Sequence, residues 1–123
     1  MDIKKELQLL FDRYVAAYRA GDGEGCAAFF AADAELHSPH GPVARGRESI
    51  AKTHLQWTSE GAEKKQLEVI NAGVSGDLAW CFAEFTEGEV TGAGVSLNVL
   101  ERQPDGSWLI RMCSLNDREP IVG

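Results

Sequence analysis

The tripeptide Pro104-Asp105-Gly106 constrains the fold of this chain more than any other feature. Proline presets φ at the first corner of a turn and glycine allows a positive φ, so the chain reverses direction here. The alternating apolar and polar residues on either side then pair as neighbouring antiparallel strands. Ser75-Gly76-Asp77 marks an earlier reversal, and the stretch from Gly88 to Gly94 a longer one. The second half therefore reads as four strands, roughly residues 65–74, 77–88, 94–103 and 106–116. Sequential hairpins of this kind build an antiparallel sheet.

The first half has a helical period instead. Ile3, Leu7, Leu10, Phe11, Tyr14 and Tyr18 share one face of a first helix, with Asp2 placed to cap it and Gly21 to end it. Asp22 suits the cap of a short second helix that carries Cys26, Phe29 and Phe30. Ala34 to Ser38 reads as a short strand stopped by Pro39, and a Gly- and Pro-containing loop runs from His40 to Gly46. A third helix follows from about Arg47 and ends at Gly61, with Ile50, His54 and Trp57 on its inner face. Helices followed by a meander define an α+β class, with three N-terminal helices packed on a curved antiparallel sheet. The 123 residues make one domain, 1–123.

Composition narrows the partners. Hydrophobic residues are 44% of the chain and charged residues 25%, enough for a core without disulfides or metal. The net charge of −7 repels phosphate backbones and anionic lipid, so neither nucleic acid nor a membrane surface is an expected partner. Met1-Asp2-Ile3-Lys4-Lys5-Glu6 holds no apolar stretch of signal-peptide length, and no run is long enough to span a bilayer. Cys26, Cys81 and Cys113 are odd in number and set among apolar residues. They read as reduced core thiols, and the expected location is the cytoplasm.

The strands offer two faces. Strict alternation puts Ala79, Cys81, Ala83, Phe85, Leu97, Val99, Trp108, Ile110 and Met112 on one. It puts Trp80, Phe82, Glu84, Asn98, Leu100, Leu109, Arg111, Cys113 and Leu115 on the other. Both are mostly apolar, and three helices cover only one. A homodimer that buries Leu97, Val99, Ile110 and Met112 is the expected solution, a sheet that curls over itself being the other. With hairpins centred near Thr91 and on Pro104-Asp105, Glu84, Asn98 and Arg111 fall side by side among Trp80, Phe82, Leu100 and Leu109. Sliding the second loop to Asp105-Gly106 gives Asn98 the partner Cys113 instead. Unpaired charges on an apolar face are costly, so the row reads either as a site for a carboxylate or carbonyl, with Arg111 as anion partner, or as solvated surface.

Candidate chemistry is sparse. Tyr14 is a core tyrosine or a pocket donor. His54 points inward, as a satisfied interior histidine, a hydrogen-bond partner of Tyr14 or a general base. His40 sits at the expected pocket mouth as a second base candidate, and Trp57 and Trp80 are expected to face the cavity. His37-Ser38-Pro39-His40 lacks a carboxylate spaced to complete a metal site, and neither a phosphate loop nor a nucleophile elbow is present, so no metal or cofactor is expected.

Several segments together resemble a known family. Arg13-Tyr14-Val15-Ala16-Ala17-Tyr18-Arg19-Ala20-Gly21-Asp22 is followed by Phe29-Phe30-Ala31-Ala32-Asp33-Ala34, Ser38-Pro39-His40-Gly41 and Arg45-Gly46-Arg47-Glu48-Ser49-Ile50. Nearly the whole chain is similar to the SnoaL-like and ketosteroid isomerase-like branch of the nuclear transport factor 2-like superfamily. The resemblance implies a cone-shaped α+β barrel with one pocket between helices and concave sheet, and usually a dimer. It also implies a small-molecule ligand, since members include isomerases, polyketide cyclases, dehydratases and oxygenase subunits. In the isomerase a carboxylate moves a proton while a tyrosine and a protonated aspartic acid hold the oxyanion. The tyrosine matches Tyr14, the second donor falls on or beside Asn98, and the base position is Ser38, which has no carboxylate. Steroid isomerisation by that mechanism is therefore not expected. The resemblance implies an oxyanion-binding pair; the reading of the residues leaves His54, His40 or Glu84 as base and expects a pocket with Tyr18, Phe30, Ser38, His40, Trp57, Trp80, Phe82, Glu84, Arg111 and Cys113. The leading reading is an isomerase/cyclase-type protein that binds an apolar, carbonyl-bearing compound and stabilises an enolate-like intermediate. The alternative is a non-catalytic ligand-binding or dimeric association domain.

Overall fold

In the computed structural model, which describes residues 2–59, 61–87 and 93–118, the Asp2 carboxylate accepts from the Lys4 N–H at 3.0 Å and opens helix α1 (Ile3–Arg19). Its buried stripe is Leu7, Leu10, Phe11, Tyr14, Val15 and Tyr18. Asp22 opens α2 (Gly23–Ala27) in the same way, through the Gly25 N–H at 2.9 Å. Strand β1 (Phe30–His37) follows, so Phe30 belongs to a strand and not to the second helix. Then come β2 (Ala44–Arg45), α3 (Gly46–Thr58), β3 (Gln66–Ser75), β4 (Leu78–Thr86), β5 (Ala93–Arg102) and β6 (Trp108–Arg118).

The sheet has six strands in the order β2-β1-β6-β5-β4-β3. From β3 to β6 it is the expected antiparallel meander. β1, however, joins β6 in parallel, so the sheet is mixed. The Ile110 N–H donates to the Phe29 carbonyl at 2.9 Å and fastens the start of that pair.

Besides a register shift in β1 between Phe30 and Glu35, two bulges in the meander curve the sheet. In β3 the partners step from Val69–Ala83 to Asn71–Phe82, which leaves Ile70 as the extra residue. In β6 they step from Leu100–Ile110 to Val99–Met112, which leaves Arg111 extra. A bulge bends its strand and increases twist. It also reverses the alternation beyond it, so Trp108 and Ile110 share the concave face with Cys113 and Leu115.

The two faces consequently differ from strict alternation. β4 lies three residues from the expected register: Glu84 pairs with Val95, and Asn98 with Cys81. An odd slip exchanges faces. Ala79, Cys81 and Ala83 are buried on the concave side with Ser96, Asn98 and Leu100. Trp80, Phe82 and Glu84 lie on the convex side with Val95, Leu97 and Val99. Trp80 remains 46% exposed; its indole lies across Gly73, where an added Cβ would come within 2.4 Å of the ring. Of the four residues assigned to a dimer face, Leu97, Val99 and Met112 are convex, but Ile110 is buried on the concave side.

Candidate functional site

The helices do not fill the concave face, and a cavity of about 640 Å³ remains. Its walls are mainly aromatic and aliphatic: Phe11, Tyr14, Phe30, Trp57, Leu67, Phe85, Ile110 and Leu115. Phe85 leans over Gly94, where a Cβ would stand 2.4 Å from the ring, so glycine at 94 lets this wall close in. The polar lining is Asn98 and Ser96, Lys65 and Glu87, and His40 and Asp117, with Gln56 and Ser59 at the end of α3.

Tyr14 stands on the wall with His54 behind it: Tyr14 Oη lies 2.7 Å from His54 Nε2, and His54 Nδ1 lies 2.8 Å from the Ile50 carbonyl. A carbonyl only accepts, so Nδ1 carries the imidazole proton. His54 is 0% exposed and ringed by Tyr14, Tyr18, Phe30 and Trp57. Burial pulls its pKa down to about 4, against the Ile50 bond and with the help of the Lys65 charge. At neutral pH the ring is neutral, Nε2 is a bare acceptor, and Tyr14 donates its only proton to it. His54 therefore fixes Tyr14 from behind and does not line the cavity. Burial, with added repulsion from neighbouring acidic groups, holds the Tyr14 hydroxyl well above its ordinary pKa.

Asn98, 1% exposed, stands on the sheet floor between Cys81 and Cys113. Its Nδ2 donates to Ser96 Oγ at 3.1 Å, while Oδ1 is buried without a hydrogen-bond partner among the described residues. Burial pushes Cys81 up to about 12, although a hydrogen bond from Asn98 pulls it down. Cys113 and Cys26 also rise to about 12 through burial, so all three free thiols stay protonated.

Two charged pairs complete the lining. Lys65, 6% exposed, puts Nζ 3.0 Å from Glu87 Oε1 and over the rings of Tyr18 and Phe85, at 4.4 and 4.2 Å from their centroids. Burial lowers the Lys65 pKa and Glu87 restores part of it. Burial raises Glu87, but Lys65 and the Tyr18 hydroxyl, which donates at 2.5 Å, hold it below the ordinary carboxylate range. His40 Nε2 meets Asp117 Oδ1 at 3.0 Å, with both side chains about half exposed.

Of the residues expected at the site, Tyr14, Phe30, His40, Trp57, Asn98 and Cys113 line the cavity. Tyr18 does not line it but touches two lining residues, Glu87 through its hydroxyl and Lys65 through its ring. Ser38 does not line it; its hydroxyl accepts from the His40 N–H at 3.0 Å and shapes the turn. Trp80, Phe82 and Glu84 point the other way, because of the register slip in β4. Arg111, the bulge residue, pairs with Asp33 at 3.4 Å and Glu101 at 3.6 Å instead of facing Asn98. The row Glu84–Asn98–Arg111 therefore does not exist. Lys65, Glu87, Ser96 and Asp117 had not been expected. Ser96 and Glu87 carry the inward parity of Asn98 and Phe85, a signal that becomes usable only once the register is known. No cluster of metal-ligating side chains occurs among the described residues, and no described helix is long and apolar enough to cross a membrane.

Comparison with solved structures gives the same fold. A ketosteroid isomerase-like protein from Erwinia carotovora atroseptica is 20% identical, covers 95% of this chain and 97% of its own, and superposes with a TM-score of 0.80. A protein described as a calcium/calmodulin dependent protein kinase II association domain, from Xanthomonas campestris, is 20% identical over 94% of this chain and 88% of its own, with a TM-score of 0.75. ActVI-ORFA from Streptomyces coelicolor is 22% identical over 94% and 96%, with a TM-score of 0.67. A search of curated protein sequences gave no significant match. The model of the SnoaL-like domain matches residues 11–108, most of the helical layer and sheet just described, and the chain belongs to the SnoaL-like family.

Proposed function

We propose that this protein takes up an apolar, carbonyl-bearing small molecule in the concave cavity, as an isomerase/cyclase-type pocket protein. The observation that carries the reading is Asn98: a fully buried amide beside Ser96 on the sheet floor, with its Oδ1 unpartnered among the described residues. An unmet acceptor of this kind is costly unless something fills the cavity and donates to it, as a carbonyl compound does in its enol form. A few convergent polar groups in an apolar cavity are the usual form of a small-molecule site. The likeness to a ketosteroid isomerase-like protein supports the ligand class.

Chemistry in such a site acts on the carbon beside the carbonyl. His54 is too deep and too weak a base, and Glu84 is on the wrong face. His40, on the cavity wall and held by Asp117, takes the role of proton acceptor in this proposal. Exchange of the α-hydrogens of 2-tetralone in deuterated buffer, followed by NMR, tests it. Saturable acceleration that is lost in His40→Ala and in the cavity-filling Leu115→Trp supports the reading. Binding without acceleration leaves the non-catalytic ligand-binding domain. Failure of 2-tetralone to bind at all rejects the carbonyl-bearing ligand class.

A second reading concerns assembly. Leu78, Trp80 and Leu97 are about half exposed on the convex face. Together with Phe82, Val99 and Met112 they offer a second copy an apolar surface, and a homodimer belongs to the proposal. So does a cytoplasmic location, which suits three free thiols.

A further inference from the structure

We infer that Tyr14 Oη and Asn98 Oδ1 act as paired hydrogen-bond acceptors, so that the cavity selects a ligand oxygen that carries a hydrogen. The ligand class is an enol, phenol or alcohol on an apolar body, and not an enolate or other oxyanion. This rests on the reading that the cavity holds an apolar oxygen-bearing molecule, and it reverses the polarity expected of an oxyanion-binding pair.

The argument is an inventory of protons. His54 Nδ1–H is committed to the Ile50 carbonyl, which leaves Nε2 as an acceptor. Tyr14 has one hydroxyl proton, and Nε2 takes it at 2.7 Å. What Tyr14 still offers the cavity is a lone pair. Asn98 spends an amide N–H on Ser96 Oγ at 3.1 Å, and the amide also lowers the pKa of the Cys81 thiol by hydrogen bonding. What Asn98 offers is the bare Oδ1. Tyr14, from α1, and Asn98, from the sheet floor, both line the cavity.

Charge agrees with this count. The buried cation, Lys65, already faces Glu87 at 3.0 Å, and Asp117 adds a second carboxylate to the lining. An anion entering here would meet lone pairs and carboxylates. A hydroxyl has one proton to give and finds an acceptor for it at either group, and buried acceptors discriminate strongly against a ligand that cannot donate. A carbonyl compound held in this cavity is thus drawn toward its enol, the tautomer whose oxygen has the hydrogen.

Three naphthalenes of similar size separate the cases: 2-naphthol donates, 2-methoxynaphthalene does not, and 2-acetylnaphthalene offers only an acceptor. Titration at pH 7 should give 2-naphthol an advantage of roughly tenfold or more over the ether and the ketone. That advantage should collapse in Asn98→Leu and shrink in Tyr14→Phe, each checked for folding by circular dichroism. The fluorescence of bound 2-naphthol gives an independent readout in the unmodified protein. It should stay neutral at pH values where free 2-naphthol ionises. Tighter binding of the ketone, or easier ionisation of bound 2-naphthol, means that the site donates and overturns the inference. So does an advantage that survives both substitutions. Binding of all three with equal affinity overturns the inference but leaves the pocket standing. Binding of none rejects the pocket and the inference with it.

Discussion

Tyr14 and His54, forty residues apart in the chain, share a hydrogen bond of 2.7 Å whose direction is set by a third group, the Ile50 carbonyl. The neutral imidazole is an obligatory acceptor here, and protonating it breaks this arrangement. His54 has a folded pKa of about 4 against an ordinary 6.5. Below 6.5 the unfolded chain takes up a proton that the folded chain refuses, so stability falls as pH drops from 6.5 toward 4 and levels off below that. The shift is worth about 3 kcal/mol across that window. Urea melts at pH 7, 6, 5 and 4 should show the decline. In His54→Gln, which has no titrating ring, it should be markedly flatter.

Lys65 and Glu87 set a second expectation. Lys65→Met removes the ammonium from a carboxylate held at 3.0 Å, and the rings of Tyr18 and Phe85 lose their cation. Glu87 is 30% exposed, so water offsets part of the loss. We expect Lys65→Met to cost about 1–3 kcal/mol, less than a fully buried pair would. The double variant Lys65→Met with Glu87→Gln should recover most of that. A double-mutant cycle by chemical denaturation measures it, and additive losses would show that the pair is not coupled.

What the sequence disclosed and what it hid divide along physical lines. Tyr14 and His54 were legible as inward-facing because helical spacing alone places them. Asn98 was legible as a polar residue of the sheet with Cys113 as one of its possible partners, because the Pro104-Asp105-Gly106 turn limits the register. The charged row failed for two reasons that spacing cannot show. The connection between β4 and β5 sets Thr86 against Ala93, three residues from the assumed pairing of Glu84 with Asn98, and this moves Glu84, Phe82 and Trp80 to the convex face. The bulge at Arg111 breaks the alternation of β6 in mid-strand. Nothing in the local spacing marks Lys65 out from Lys64, and only its tertiary position between two aromatic rings makes it part of the cavity.

Ser38 occupies the position where the resemblance places a catalytic carboxylate, yet its hydroxyl is used by the His40 N–H. Aspartate accepts the same bond, so Ser38→Asp should fold with stability within about 0.5 kcal/mol of the parent. Because Ser38 does not line the cavity, we expect no gain in exchange of 2-tetralone α-hydrogens. A clear gain in Ser38→Asp would mean that position 38 reaches the bound ligand after all.

The convex face gives the last expectation. Leu97 is 50% exposed and Trp80 46%, with Val99 half-buried between them across the β4–β5 pair. Leaving such a surface in water forgoes roughly 25 cal/mol for each Å² of apolar area that a partner could cover. A two-fold related copy of the same face covers it without any new complementary surface. Leu97→Glu puts a carboxylate at the centre of the face and leaves the cavity walls untouched. Sedimentation at micromolar concentration should then change from dimer to monomer, while 2-naphthol binding persists. Val99→Glu should act alike, with more loss of stability because Val99 is less exposed. An unmodified protein that sediments as a monomer removes the second copy from this face.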